Sequence, residues 1–540
     1  MHIFVAADWL AIAVYFAIVF GAVLYSRRGR RRDAQEYFLA GRNVGWYVVG
    51  ASIFASNIGA EHLVGLAGSG AAGGVAVAQF EILASFILLL LGWLFVPFYL
   101  SSGVFTMPEF LERRYSAAPR YYLAGMSIFG YILTKISVSL TAAGIVLQAL
   151  TGIDFWLGAG ILVVITGVYT MWGGLRAVLY TDSVQAIVLL GGSIAVSLFG
   201  LHAVGGWHAL TTTVGPQFMT LWKPANDPNF PWTGIIFGAP ILAIWYWCTD
   251  QFIVQRVLSA KNISNAREGT VLAGFLKQTP LFLFVMPGII AVALVKMGKI
   301  HLASPDQAFP TLVAALLPAG IRGLVAASLI SALMGSLSSV FNSAATLFTL
   351  DIFKRLYPDA SERTTVRVGQ VGVAAMVIFG LLWIPFMRIV SGQLYTYIQS
   401  VQAYVSPPIA AVFLAGVLWP RANSFGAIAS LASGFVLGIG RLVCEITHAK
   451  LPPAMSWFVG INFLHFAFVL FVTSVVILAV VSLLTAKPDP AQTDGLTIRS
   501  ISEPVKKEAR RGRGRDLVWS ALLILTVIGV WTYFSGLMFR

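Results

Sequence analysis

Apolar runs follow one another along almost the whole chain, and polar positions collect in the short gaps between them. A helix that crosses the hydrocarbon core of a bilayer needs about 20 predominantly apolar residues. Runs of that kind predict about 14 helices, over 6–26, 45–69, 75–99, 119–150, 155–171, 181–204 and 232–256, and then over 268–297, 320–353, 365–387, 394–418, 424–446, 459–485 and 516–538. Gly and Pro punctuate many of them, as neighbouring helices in a membrane permit. The fold class expected is an all-α polytopic membrane protein.

Two runs depart from the pattern. GASIFASNIGAEHLVGLAGSG (50–70) has small residues and glycines where a continuous helix would prefer Leu. A second run, 234–250, is interrupted at Gly238, Ala239 and Pro240. Many transporters consist of two inverted halves, each with a helix broken near the midplane to expose backbone groups. The expected organisation is an N-terminal outer helix and basic loop (1–44), a first five-helix repeat (45–204) and a second, inverted repeat (232–418). Two additional helices (419–485), a basic linker (486–515) and a C-terminal helix (516–540) complete it.

Composition sharpens this picture. Of 540 residues, 58% are hydrophobic and 11% charged, with a mean hydropathy of +0.82; a soluble domain has about 45–50% and about 25%. The net charge of +14 does not point to nucleic acid, because the basic residues sit in short blocks beside apolar runs: Arg27 to Arg32, and Lys506 to Arg515. Such blocks are topology signals, attracted also by anionic lipid. With the N-terminus outside, 26 of the 36 Lys and Arg fall in cytoplasmic loops, so both termini are expected outside the cell membrane. The first helix ends in SRRGRRR with no cleavage site before it, which reads as a retained helix and not a signal peptide. The two cysteines, Cys248 and Cys444, form no CxxC or His/Cys cluster, so neither a disulfide framework nor a zinc site is expected.

A charge at the membrane centre costs about 2.5–3.5 kcal/mol on insertion scales, so those present need partners or a job. They are Glu61, His62, Glu81, Lys135, Asp182, Asp250 and Lys277, with His465 near the last helices. Asn57 and Glu61 share a helix face, and with His62 they offer donors and acceptors suited to a hydroxyl-rich ligand; satisfying the backbone freed by the break is the alternative. Tyr395, Gln399 and Gln402 form a polar stripe that faces protein or a wet cavity, or else glues helices together. Tyr246 and Trp247 offer an aromatic platform for a sugar ring, or plain packing. Ser336, Ser338, Ser339 and Ser343, with carbonyls of a broken helix, supply the oxygens a hard cation prefers; serines also serve as helix contacts. Gly68 to Gly73 matches GxGxxG, but no strand precedes it, so it is no nucleotide site. Asn262-Ile263-Ser264 is a sequon in an expected cytoplasmic loop, and Gly434 to Gly438 is a GxxxG suited to helix packing. No nucleophile–base arrangement stands out, and no enzyme is expected.

The stretches GASIFASNIGAEHLVGLAGSG (50–70), YTDSVQ (180–185), WYWCTDQFIVQRVLSAKN (245–262), FNSAATLFTLDIF (341–353) and GQLYTYIQSVQAYVSPPIAAVF (392–413) resemble the sodium/glucose cotransporter branch of the sodium:solute symporter family. The resemblance covers nearly the whole chain and is closer to the sugar-handling branch than to the proline or iodide branches. It implies the leucine-transporter fold of five plus five inverted helices, alternating access, and sodium as coupling ion with no other cofactor. The motifs carry a sugar pocket onto Asn57, His62, Glu81, Tyr246, Trp247, Lys277 and Gln399. They carry one sodium site onto Ala55, Ile58, Ala332, Gly335 and Ser336, and a second onto Ser56, Asp182, Ser338 and Ser339. Two departures stand out: Gly335-Ser336 occupies a place where the family often has two serines, and Gln402 replaces a smaller hydroxyl residue. The function implied is sodium-coupled symport of a hexose, glucose or galactose. A myo-inositol or polyol symporter, a sugar sensor or uniporter, and a proton-coupled carrier are the alternatives. The partners expected are sugar, sodium and lipid, with no nucleic acid and no obligate protein partner.

Overall fold

The computed structural model describes residues 4–26, 44–447, 456–537 and 539; within them, side chains at 20, 22–26, 168–169, 171–186, 362–363, 366, 388 and 456 lie outside the description. The basic block at 27–32 also falls outside it. The described residues form helices throughout, joined by short turns, with two isolated bridges in place of strands. Eleven helical runs among them are long and apolar enough to cross a membrane.

In chain order the main elements are α1 (Ala6–Ser26), α2 (Trp46–Asn57), α3 (Glu61–Ser102, interrupted at Gly74) and α4 (Met107–Arg114). They continue with α5 (Ala117–Thr151), α6 (Phe155–Val204), α7 (Trp232–Thr249) and α8 (Gln251–Leu258). Next come α9 (Ile263–Lys296), α10 (Ile321–Leu356), α11 (Glu362–Val390) and α12 (Leu394–Leu418). The last are α13 (Ser424–Ile446), α14 (Phe463–Leu484), α15 (Glu503–Arg510) and α16 (Arg513–Tyr533).

Polar residues at the run boundaries act as caps. Thr106, Asp154, Asp250, Asn262, Ser361, Asn423 and Asn462 each accept a backbone N–H in the first turn of the helix that follows. Such a cap satisfies a donor that the helix itself leaves orphaned. The sequon residue Asn262 is one of these caps.

Burial sorts the helices. The most apolar stretch of α5 is 89% buried inside the protein and that of α16 only 22%. In lipid the outward face of α16 stays apolar because its solvent is hydrocarbon. Ion pairs fasten the ends of the bundle: Asp8 of α1 with Arg322 of α10, Arg120 of α5 with Asp351 of α10 at 2.7 Å, and Arg267 of α9 with Asp516 of α16 at 3.0 Å. The GxxxG of α13 packs within the chain, Gly434 against Pro408 and Gly438 against the Tyr404 carbonyl.

Three features differ from expectation. The helices expected at 155–171 and 181–204 are one helical run, α6; in the stretch between them, 172–180, only Gly173-Gly174 interrupts the helix formers, and no proline stops it. The second break lies at Asp250, whose backbone is extended (φ −74°, ψ 125°), and not at Gly238–Pro240. Gly238 stays in right-handed helical geometry and Pro240 sits in the first turn of a helical segment, where its missing N–H costs nothing. The basic linker carries the helix α15, and Ile498 donates to the Val417 carbonyl at the end of α12 at 2.9 Å.

Candidate functional site

The first interruption follows directly from the sequence. α2 ends at Asn57, Ile58 is extended (φ −74°, ψ 108°), and the helix resumes after Gly59. The last carbonyls of such a helix have no partner within it. A wide turn with i→i+5 spacing flanks each break: Glu61–Leu66 after the first, and Trp245–Thr249 before the second. A wide turn rotates successive side chains out of register, and such turns recur at functional sites. Here they present Glu61, His62, Tyr246 and Trp247.

The two interruptions touch through one hydrogen bond. Asn57 Nδ2 donates to the Tyr246 hydroxyl at 2.8 Å, and Lys135 Nζ of α5 donates to the same oxygen at 3.0 Å. Lys277 of α9 bonds Asn57 Oδ1 and Glu81. Glu81 also lies 3.3 Å from His62 Nε2, and its other oxygen accepts from the Tyr395 hydroxyl at 3.3 Å. Glu81 and Lys277 each have an opposite charge against them, and Lys135 has the Tyr246 oxygen as acceptor, which is how ionised groups tolerate burial.

One cavity opens onto the mesh. Asn57, Glu61, His62, Glu81, Tyr246, Trp247, Tyr395, Gln399 and Gln402 line it, with Phe80, Leu242, Ala243 and Ile398. Six of the seven residues that the resemblance assigned to a sugar pocket therefore share one wall. The seventh, Lys277, has no exposed surface and stands behind that wall. Sequence reading set no role for Phe80, nor for Lys135 as a partner of Tyr246; an intramembrane lysine was the signal for the latter.

A second, smaller cavity sits at the end of α2. It is lined by Phe54, Ala55, Ser56, Ile58, Leu189, Leu190, Ala332, Gly335, Ser336 and Ser339. All five residues of the expected first sodium set are among these. The second set divides: Ser56 and Ser339 line the same cavity, whereas Ser338 donates to the Gly335 carbonyl at 3.1 Å. The Asp182 side chain lies outside the described residues. Ser56 also accepts from buried Arg256 of α8. Helix-end carbonyls and serine hydroxyls are hard, neutral oxygens, a donor set that fits a small monovalent cation better than a transition metal.

The model of the sodium:solute symporter family matches residues 37–434. The chain belongs to this family. This symporter is thus a sodium-coupled membrane transporter and not an enzyme. Sodium/glucose cotransporter 1 of Oryctolagus cuniculus is 40% identical to it over 529 residues, covering 90% of this chain and 80% of the relative. Sodium/myo-inositol cotransporter 2 of Mus musculus is 39% identical over 544 residues, covering 93% and 80%. Among solved structures, a sodium-coupled sialic acid symporter in a substrate-bound outward-open state superposes with a TM-score of 0.74. It shares 20% identity, with 89% of this chain and 99% of that one covered, and so bears on the fold alone.

Proposed function

We propose that this symporter takes up a hexose, glucose or galactose, in symport with sodium. The observation that carries this reading is the cavity between the two interruptions. It joins amide, carboxylate and imidazole groups to the Tyr246–Trp247 face, which suits a ring with hydroxyls on its rim and C–H groups on its faces. The 40% identical sodium/glucose cotransporter supports the same substrate class. Asn57, His62, Glu81, Tyr246, Trp247 and Gln399 contact the sugar, and Lys277 holds Glu81 and Asn57 in place behind them.

Sodium binds at the end of α2, to carbonyls of Ala55, Ile58 and Ala332 and to Ser336; a second ion uses Asp182 with Ser56 and Ser339. The two interruptions lie in the opening helices of two inverted halves, 45–204 and 232–418. The protein lies in the cell membrane with both termini outside. Sodium favours the outward-open state and sugar then allows closure, since coupling needs only that each ligand prefer one conformer. Each tenfold sodium gradient supplies about 1.4 kcal/mol and each charge moved inward about 2.3 kcal/mol per 100 mV. A second ion doubles that drive.

The second reading is a myo-inositol carrier, favoured by Gln402 in the cavity wall and by the 39% identical myo-inositol cotransporter. Labelled-sugar uptake into proteoliposomes under imposed sodium or proton gradients tests both. Glucose uptake driven by sodium and only weakly displaced by inositol supports the hexose reading. Equal uptake without sodium sinks the coupling, and stronger displacement by inositol sinks the hexose assignment.

A further inference from the structure

Gly59 stands between the two cavities. A Cβ built on it would overlap Ser336 Oγ and come within 3.5 Å of Glu61 Oε2. Both oxygens therefore border the same bare stretch of backbone, although Ser336 lines the cavity at the end of α2 and Glu61 lines the aromatic one. The other charged groups of the mesh are engaged: Lys277 with Glu81, Lys135 with Tyr246. Glu61 has no hydrogen bond and no ion pair within 4 Å among the described residues, Lys135 and Lys277 feeling its charge only from further off, and part of its surface stays open.

We infer that Glu61 is the counter-charge of the sodium ion at Ser336, acting across Gly59 from the sugar side. The described oxygens of the ion cavity are neutral, and Gly335 leaves them one hydroxyl short. A carboxylate this close, in a medium of low effective dielectric, stabilises a monovalent cation without touching it. The ion in turn quenches a carboxylate that would otherwise hold water in the sugar cavity. Sugar hydroxyls then displace that water more readily, so one group ties the two ligands together. This inference rests on the sodium-coupled reading of the Ser336 cavity.

The test measures sodium binding to the purified full-length chain by calorimetry, without sugar and with potassium replacing sodium at constant ionic strength. Glu61→Gln is expected to raise the half-saturating sodium concentration about tenfold or more. Adding Gly335→Ser, which restores a hydroxyl, is expected to recover most of that loss. Unchanged sodium affinity in Glu61→Gln overturns the inference. So does a loss that Gly335→Ser leaves untouched, since a purely structural role would produce it. Should Glu61→Gln fail to fold, Glu61→Asp keeps the charge but shortens its reach; weaker sodium binding supports the inference and equal binding overturns it. If the parent chain itself binds no sodium, the coupling reading has failed, which is a different result from an unaffected Glu61 variant.

Discussion

The Glu81 carboxylate lies against the Lys277 ammonium in a place where Lys277 has no exposed surface. A buried pair of this kind is marginal as a whole but costly to halve, because the remaining charge has no water to turn to. Lys277→Met is therefore expected to destabilise the protein by about 3–5 kcal/mol, read as a lower melting temperature in detergent. The double variant Lys277→Met with Glu81→Gln should recover most of that stability yet still bind sugar poorly. Equal instability of the single and double variants would show that the two groups do not act as an ion pair.

Tyr246 accepts two buried donors on one hydroxyl, from Asn57 and Lys135. Tyr246→Phe keeps the ring and orphans both donors, at a cost of about 1–3 kcal/mol each where no water replaces the oxygen. We expect the sugar affinity to fall about tenfold or more, since about 1.4 kcal/mol is a factor of ten. The ring stays, so the variant should remain folded. Sugar binding at saturating sodium checks this, and unchanged affinity would remove Tyr246 from the site.

Much of this was legible in the chain before its structure. The first break was readable because Gly59 and the small residues around Asn57 interrupt a leucine-type pattern, and the structure breaks the helix at Ile58–Gly59. The second was misplaced because Gly238 and Pro240 look like breakers, whereas Pro240 falls in a first helical turn and Asp250 caps a new helix. A single Asp among apolar residues reads as a membrane charge, and its capping role emerges only when Phe252 is placed above it. The merging of two expected helices into α6 was equally hidden, since Gly173-Gly174 weakens a helix without ending it. Glu61 shows the limit of pattern: its spacing from Asn57 put both on one face, but its nearness to Ser336 depends on a bend between them.

Asp250 does two jobs. Its carboxylate accepts the Phe252 N–H at 3.1 Å and the Tyr131 hydroxyl of α5. Asp250→Ala removes a cap worth about 0.5–2 kcal/mol and strands a buried phenol, whereas Asp250→Asn keeps an acceptor for the cap. The melting temperature should fall in the order parent, Asn, Ala. If Asn and Ala destabilise equally, the formal charge matters there and the cap does not.

Asp306 lies outside the membrane-spanning runs, in the connection between α9 and α10, against the first residue of α12. It is 7% exposed, its Oδ2 accepts from the Leu394 N–H at 3.3 Å, and Oδ1 has no partner among the described residues. Burial pushes its carboxyl up to about 7 from 3.8, and the Leu394 N–H only partly offsets this. A carboxyl raised in the folded state holds its proton after the unfolded chain has released it. Stability from this group is therefore complete below pH 3.8, declines as pH rises towards about 7, and is flat above that. Asp306→Asn keeps an acceptor for Leu394 and cannot ionise. The melting temperature of the parent is expected to decline across the pH 5–7 interval by more than that of Asp306→Asn, the two curves running parallel above about pH 8. Parallel curves over the whole range would mean that Asp306 stays charged in the fold and that its cavity is wetter than its burial implies.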